Sequence, residues 1–308
     1  MKLSLIVPCF NEKGNVTVLR DAIIDTFDIC GYDYEIIYID DGSTDDTNKE
    51  LRMLYEQQKC PVKVIRFSRN FGKEAAIFAG LQHTDGDYVA IIDADMQQPP
   101  AIVKQMVEIL DEQPDCDMVA AYQVERREGS VLSFFKKAFY KTINKLSDVN
   151  LRQDASDFRT FRRNVAESIL SLGESHRFSK GIFAWIGYNT VYIPYTAEKR
   201  HSGKSKWSFF KLLNYALEGI IGYSTKPLRI ATFLGGMTSF ASMIYLVVVV
   251  LQKLIQGIDI PGYATIIVLI LLLGGMQLFC IGIIGEYVGK TFEQSKARPI
   301  FIAKEILK

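Results

Sequence analysis

"YVAIIDADMQQPP", residues 88–100, is the stretch on which the fold turns. Tyr88-Val-Ala-Ile-Ile is apolar without alternation, the pattern of a strand buried on both faces. Asp93 and Asp95 follow at its end, and Pro99-Pro100 stops the extended chain. Side chains alternate along a strand, so residues i and i+2 point the same way. A strand running through Asp93 would therefore deliver two carboxylates to one side of a sheet edge. Like charges so placed repel unless a cation or a donor array lies between them, so the pair reads either as a solvated acidic turn or as a candidate metal site.

The same pattern extends outward over residues 1 to 122. Apolar strand-like runs at Leu3–Pro8, Tyr34–Asp40, Val62–Phe67, Tyr88–Asp93 and Met118–Tyr122 alternate with helical stretches. Those stretches are Asn15–Phe27, Thr44–Gln57, Lys73–His83 and Ala101–Glu112. The alternation predicts an α/β fold with a mainly parallel sheet covered on both faces. Such sheets bind ligands at the carboxyl ends of their strands. Three of those ends are polar: "PCFNE" (8–12), "DDGSTDDT" (40–47) and "DADMQQ" (93–98). Neither G-x-G-x-x-G nor G-x-x-x-x-G-K-[ST] occurs, so phosphates need another holder, and a metal on Asp93 and Asp95 supplies one. Asp40 and Asp41 read as an N-cap cluster ahead of the Thr44 helix, with Ser43 or Thr44 the cap.

Composition sets bounds. The 36 Lys and Arg residues against 35 Asp and Glu leave a formal charge of +1, which removes any global argument for nucleic-acid binding. Five scattered cysteines without a C-x-x-C pair suit a reducing compartment and argue against a disulfide framework or a zinc site. The apolar part of "MKLSLIVPCFNE" is too short for a secretory signal, so residues 1–203, the soluble part, are expected to stay in the cytoplasm.

The last third differs. No charge falls between Arg229 and Lys253 or between Asp259 and Glu286, and each run exceeds the roughly 20 apolar residues that cross a bilayer. Lys226 and Arg229 precede the first run; Lys290, Lys296 and Arg298 follow the second. The positive-inside tendency puts both outer flanks in the cytoplasm. The expected layout is an amphipathic juxtamembrane segment over 204–229, two transmembrane helices over 230–285 and a cytoplasmic tail over 286–308. "KWSFFKLLNYALEGII" (206–221) reads as an interfacial helix, and "VLSFFKKAFYKTINKL" (131–146) as either an interfacial or a surface helix.

In order along the chain, "SLIVPCFNE", "DDGSTDDT", "DADMQQPP", "DFRTFRR", "GIFAWIG", "RHSGKSKWS" and "IIGEYVGK" resemble the motifs of family-2 glycosyltransferases of the GT-A fold. Within that family the chain is similar to the polyprenyl-phosphate glycosyltransferases, which include the bactoprenol glucosyltransferases and dolichol-phosphate mannose synthase. The resemblance implies inverting transfer of a sugar from a nucleotide-sugar, a UDP-hexose, to polyprenyl (undecaprenyl) phosphate at the cytoplasmic membrane face. The product would be a lipid-linked monosaccharide donor for cell-envelope glycan modification.

The resemblance also implies roles for residues. Pro8, Asn11 and Glu12 would contact the nucleotide, as would Asp41 or its neighbour Asp40. Asp93, Ala94 and Asp95 would face the donor diphosphate, with Mg2+ or Mn2+ held by Asp93 and Asp95 and Gln97 close by. Arg200 and Lys206 would close over phosphate groups, with Arg159 or Arg163 as further cations. Asp157 is a candidate positioning residue or base. Relatives often carry an Arg after the fifth strand, where this chain has Ala121-Tyr122-Gln123; Arg126 and Arg127 follow only later, and which of them, if either, touches phosphate stays open. A processive polysaccharide synthase is the nearest rival, but no R-W pair occurs. Another lipid acceptor, or a non-catalytic nucleotide-sugar-binding scaffold, are further alternatives, and a homo-oligomer is plausible.

Overall fold

The computed structural model describes residues 1–124, 155–175, 177–198, 221–256 and 262–308. The expected helix at 131–146, nearly all of 206–221, and Arg126, Arg127, Arg200 and Lys206 lie outside the described residues.

Strands β1 (Lys2–Cys9), β2 (Asp33–Asp40), β3 (Val62–Phe67), β4 (Tyr88–Ile91) and β5 (Met118–Gln123) alternate with helices α1 (Asn15–Phe27), α2 (Thr47–Gln57), α3 (Lys73–Gln82) and α4 (Pro100–Glu112). There follow β6 (Ala155–Arg162), α5 (Arg163–Ser171), α6 (Ser179–Trp185), β7 (Thr190–Tyr195), α7 (Lys226–Gln256), α8 (Tyr263–Ser295) and β8 (Ala303–Leu307). One eight-stranded sheet runs β7-β5-β6-β4-β1-β2-β3-β8. The pairs β1–β2, β2–β3, β1–β4 and β5–β7 are parallel, and β6 lies antiparallel between β4 and β5.

Period-two alternation sorts the strand residues between two cores. Leu3, Leu5 and Val7 of β1 with Ile36 and Tyr38 of β2 pack under α1, α2 and α4. Ile6, Ile37 and Ile39 face α3, α5 and α6. A fully buried aliphatic side chain of this kind contributes about 1.5–3 kcal/mol. Helix α3 lies so close to the sheet that a Cβ on Gly80 would stand 2.4 Å from Ile6 Cγ2. The order of β1 between β2 and β4 makes a topological switch point, and sheets of this kind bind ligands in the crevice at the carboxyl ends of such strands.

Helices α7 and α8 hold two runs long and apolar enough to cross a membrane, Lys226–Gln252 and Val268–Ser295, with mean hydropathy 2.0 and 2.4. Large apolar side chains such as Phe233, Phe240, Leu271 and Leu278 point outward from them. Both helices extend past the 230–285 span read from the sequence, because Lys226 and Arg229 at one end and the polar turns to Ser295 at the other continue the same helical ladder.

The segment expected as a tail is built into the domain instead. Residues 286–295 complete α8, and β8 pairs antiparallel with β3. Arg52 grips Glu305 with two bonds of 2.5 and 2.6 Å, Tyr55 donates to the Lys308 carbonyl at 2.7 Å, and Phe301 stacks on Phe67 at 4.9 Å. The pairing covers the β3 edge, which would otherwise present unpaired backbone groups.

Candidate active site

Two loops are laced together at the ends of β1 and β2. The Asp41 N–H donates to the Cys9 carbonyl at 2.9 Å. Asn11 takes a left-handed φ of 56°; its N–H donates to Ser43 Oγ, and its Oδ1 accepts the Thr44 N–H at 2.8 Å. The Glu12 N–H donates to Thr47 Oγ1 at 2.9 Å, and Glu12 Oε2 accepts from Asn15 at 2.6 Å. Pro8, half-buried, lies in register with Ile39 just before this loop. Ser43 and Thr44 are thus spent on Asn11 and cap no helix. Helix α2 begins at Thr47 instead of Thr44, and Asp45 Oδ1 takes the Thr47 N–H at 3.0 Å.

Asp40 and Asp41 divide their roles. Asp40 is fully buried; its Oδ1 accepts the Ser43 N–H at 2.8 Å, and its Oδ2 lies 3.7 Å from Arg66 Nε. It braces the loop from below. Asp41 accepts the Phe71 N–H at 2.6 Å and the Gly72 N–H at 3.0 Å. Burial pushes the Asp41 carboxyl up to about 6 despite those two donors, and the Asp40 charge adds to the rise. The chain after β3 presses on this turn: Gly42 has φ +68°, and a Cβ there would stand 2.5 Å from the Arg69 carbonyl carbon. Only glycine fits.

β4 ends at Ile91, two residues short of the expected Asp93, since its ladder with β1 runs only to Ile6. A loop therefore presents Asp93 and Asp95, with buried Ala94 between them and Met96 at φ 65°. Gln98 braces Asp93 twice: its Oε1 accepts the Asp93 N–H at 2.8 Å, and its Nε2 donates to Asp93 Oδ2 at 3.0 Å. The Gln97 N–H donates to Asp95 Oδ1 at 3.1 Å. Among the described residues no group of three His, Cys, Asp or Glu could hold a metal unaided. The donor set fits a hard cation that takes its remaining ligands from a diphosphate.

Sequence reasoning missed Lys73. Its ammonium lies 2.6 Å from Asp93 Oδ1 and 3.5 Å from Asp157 Oδ2, tying the loop after β4 to β6. A cation on the first turn of α3 opposes the helix dipole by about 0.3–1 kcal/mol, so the two carboxylates hold it there. Burial disfavours its charge, but Asp93 and Asp157 outweigh that and raise its pKa. For Asp157, burial pushes the pKa up, yet Lys73, Lys180 and Arg159 together hold it below the usual carboxylate range. Glu74 accepts the Ser179 N–H at 3.0 Å and the Ser179 hydroxyl; burial, with the Asp157 charge, lifts it to about 7. Arg159 stacks 3.7 Å over the Phe183 ring and donates to the Ser156 carbonyl at 2.8 Å. Arg163 faces the opposite end of the sheet, donating to Thr84 Oγ1 at 2.9 Å, and is not brought to this crevice.

A profile described as Glycosyl transferase family 2 matches residues 4–170, and one described as GtrB C-terminal hairpin matches residues 226–291. The bactoprenol glucosyl transferase of Shigella phage SfV is 39% identical over 99% of this chain and 98% of its own. A prophage bactoprenol glucosyl transferase homolog of Escherichia coli (strain K12) is 38% identical over 100% of both chains. A crystal structure of a mycobacterial protein shares the fold, with a TM-score of 0.50 at 20% identity over 71% of this chain and 72% of that one. The α/β, GT-A class expected from the sequence holds, with a C-terminal hairpin of two apolar helices.

Proposed function

The chain belongs to glycosyl transferase family 2, and from that premise we propose that it moves a hexose from a UDP-sugar to a polyprenyl phosphate. The observation that carries this reading is full-length similarity to bactoprenol glucosyl transferases, hairpin included. Bactoprenol is a polyprenol, and its phosphate would meet the enzyme at the membrane surface.

In this reading residues 1–203, with β8 added to their sheet at the β3 edge, form the catalytic domain. Pro8, Asn11, Glu12 and Asp41 hold the nucleotide, while Asp40 supports their loop from beneath. Asp93 and Asp95, with Ala94 and Gln97 beside them, face the diphosphate and hold Mg2+ or Mn2+. When bound, that cation neutralises charge developing on the departing diphosphate. Arg200 and Lys206, outside the described residues, close over the phosphates, and Asp157 orients the reacting groups across the Lys73 bridge.

The pairing of β8 with β3 supports a cytoplasmic catalytic face. Both ends of the α7–α8 hairpin return to one domain, so two crossings leave the domain and the C-terminal strand on the same side. Lys and Arg at both outer flanks favour the cytoplasm for that side. The test is to incubate membranes carrying the protein with a panel of radiolabelled nucleotide sugars and undecaprenyl phosphate, then extract lipid. One UDP-hexose should label the organic phase. Label confined to the aqueous phase for every sugar would overturn the lipid acceptor.

A further inference from the structure

Lys73 stands on the wall of the crevice, its side chain 41% exposed, between the loop that carries Asp93 and the strand that carries Asp157. Its ammonium and a divalent cation would seek the same oxygen, Asp93 Oδ1. Two cations in contact with one carboxylate oxygen repel strongly at the reduced dielectric of a partly enclosed site. The flexible lysine stem lets the ammonium move while the backbone stays in place. A place to receive it exists: among the described residues Asp157 Oδ1 is buried without a hydrogen-bond partner, and Asp157 Oδ2 already lies 3.5 Å from the ammonium.

We propose that Lys73 is a positioning residue that competes with the divalent cation for Asp93, retreating onto Asp157 when the metal binds. The proposal rests on reading Asp93 as a metal ligand. While the ammonium holds Asp93, the protein alone binds metal weakly. A donor diphosphate brings extra oxygen ligands that tip the competition, so metal and donor bind together rather than metal first. The same movement carries positive charge from the metal side of the crevice to Asp157 and keeps that buried carboxylate neutralised.

The test is Mn2+ binding to the full-length protein in detergent micelles without donor, followed by the electron paramagnetic resonance signal of free Mn2+. Lys73→Met should bind Mn2+ about tenfold more tightly than the parent, or more, because the competing charge is gone. Lys73→Arg, which keeps the charge, should bind as the parent does. Lys73→Gln takes the place of Lys73→Met if methionine disturbs the fold, as judged by near-ultraviolet circular dichroism. A merely structural lysine would leave the affinity unchanged or lower it on removal, and either result overturns the proposal. Should no variant and no parent bind Mn2+, the metal reading of Asp93 falls as well, a result distinct from equal binding by all three.

Discussion

Gln98 holds Asp93 at both ends, its amide oxygen taking the Asp93 N–H at 2.8 Å and its amide nitrogen donating to Asp93 Oδ2 at 3.0 Å. The brace depends on hydrogen bonding and the Lys73 contact on charge, so the two can be separated. Asp93→Asn keeps an acceptor oxygen for Gln98 and removes the charge. Transfer should fall by two or more orders of magnitude while the thermal midpoint stays near that of the parent, and Asp95→Asn should behave alike. EDTA should abolish transfer in the parent, with Mg2+ or Mn2+ restoring it. Full activity of either variant, or in EDTA, would remove the metal from the scheme.

Much of this site is legible in the sequence. Strands β1 to β5 are largely apolar runs, three of them ending in polar clusters, and burial on both faces leaves that signature in any order of pairing. Lys73 was not legible: it stands in no motif, and its meaning comes from β6 lying beside β4, a non-local pairing. Nor was β8, because "AKEIL" is short and carries two charges, and only Arg52, 253 positions away from Glu305, explains one of them. Nor is the start of helix α2 legible: Ser43 and Thr44 have the chemistry of caps three residues before Thr47, and Asn11, from another loop, claims both.

The return strand should matter through packing more than through charge. Glu305→Ala removes an exposed ion pair and should cost less than about 1 kcal/mol. Phe301→Ala loses the stack on Phe67 beside the β3 edge, and should cost about 1–3 kcal/mol. Thermal unfolding in detergent ranks the two, and the opposite order would show that Arg52–Glu305 is the stronger anchor.

Topology is tested by labelling. A cysteine in place of Gly257, in the link between the spans and outside the described residues, should react with an impermeant maleimide in intact cells. Cys60, on the catalytic domain, should not. Labelling of Cys60 alone would put the domain outside.

Glu74 supplies a pH signature. Its folded pKa of about 7 lies above its ordinary 4.5, so the folded state binds the proton more tightly. Its contribution is therefore most favourable in acid and declines as pH rises from about 4.5 through 7. Glu74→Gln stays neutral and can still accept from Ser179. The thermal midpoint of the variant minus that of the parent should grow between pH 5 and pH 8, and a difference independent of pH would mean that Glu74 titrates normally.

The acceptor's own chemistry gives the last prediction. A polyprenyl phosphate loses its second proton near pH 6, at about the ordinary phosphomonoester value, and so attacks as a dianion without a strong base. Asp157 suits that scheme as a positioning group: Lys73, Lys180 and Arg159 hold it below the usual carboxylate range, which keeps it ionised and makes it a poor proton acceptor near neutrality. The harder task is bringing a dianion to a negatively charged donor, and the resemblance gives that task to Arg200 and Lys206. Arg200→Ala and Lys206→Ala should each impair transfer more than Asp157→Asn does. In the parent and in Asp157→Asn alike, the rate should rise with pH through about 6 and then level, following the acceptor. Direct displacement inverts the anomeric centre, and the product should release its sugar in mild acid as a glycosyl phosphate. If Asp157→Asn erases the rise near pH 6 while Arg200→Ala leaves the rate intact, Asp157 is the base and the nucleophile is a hydroxyl rather than a phosphate.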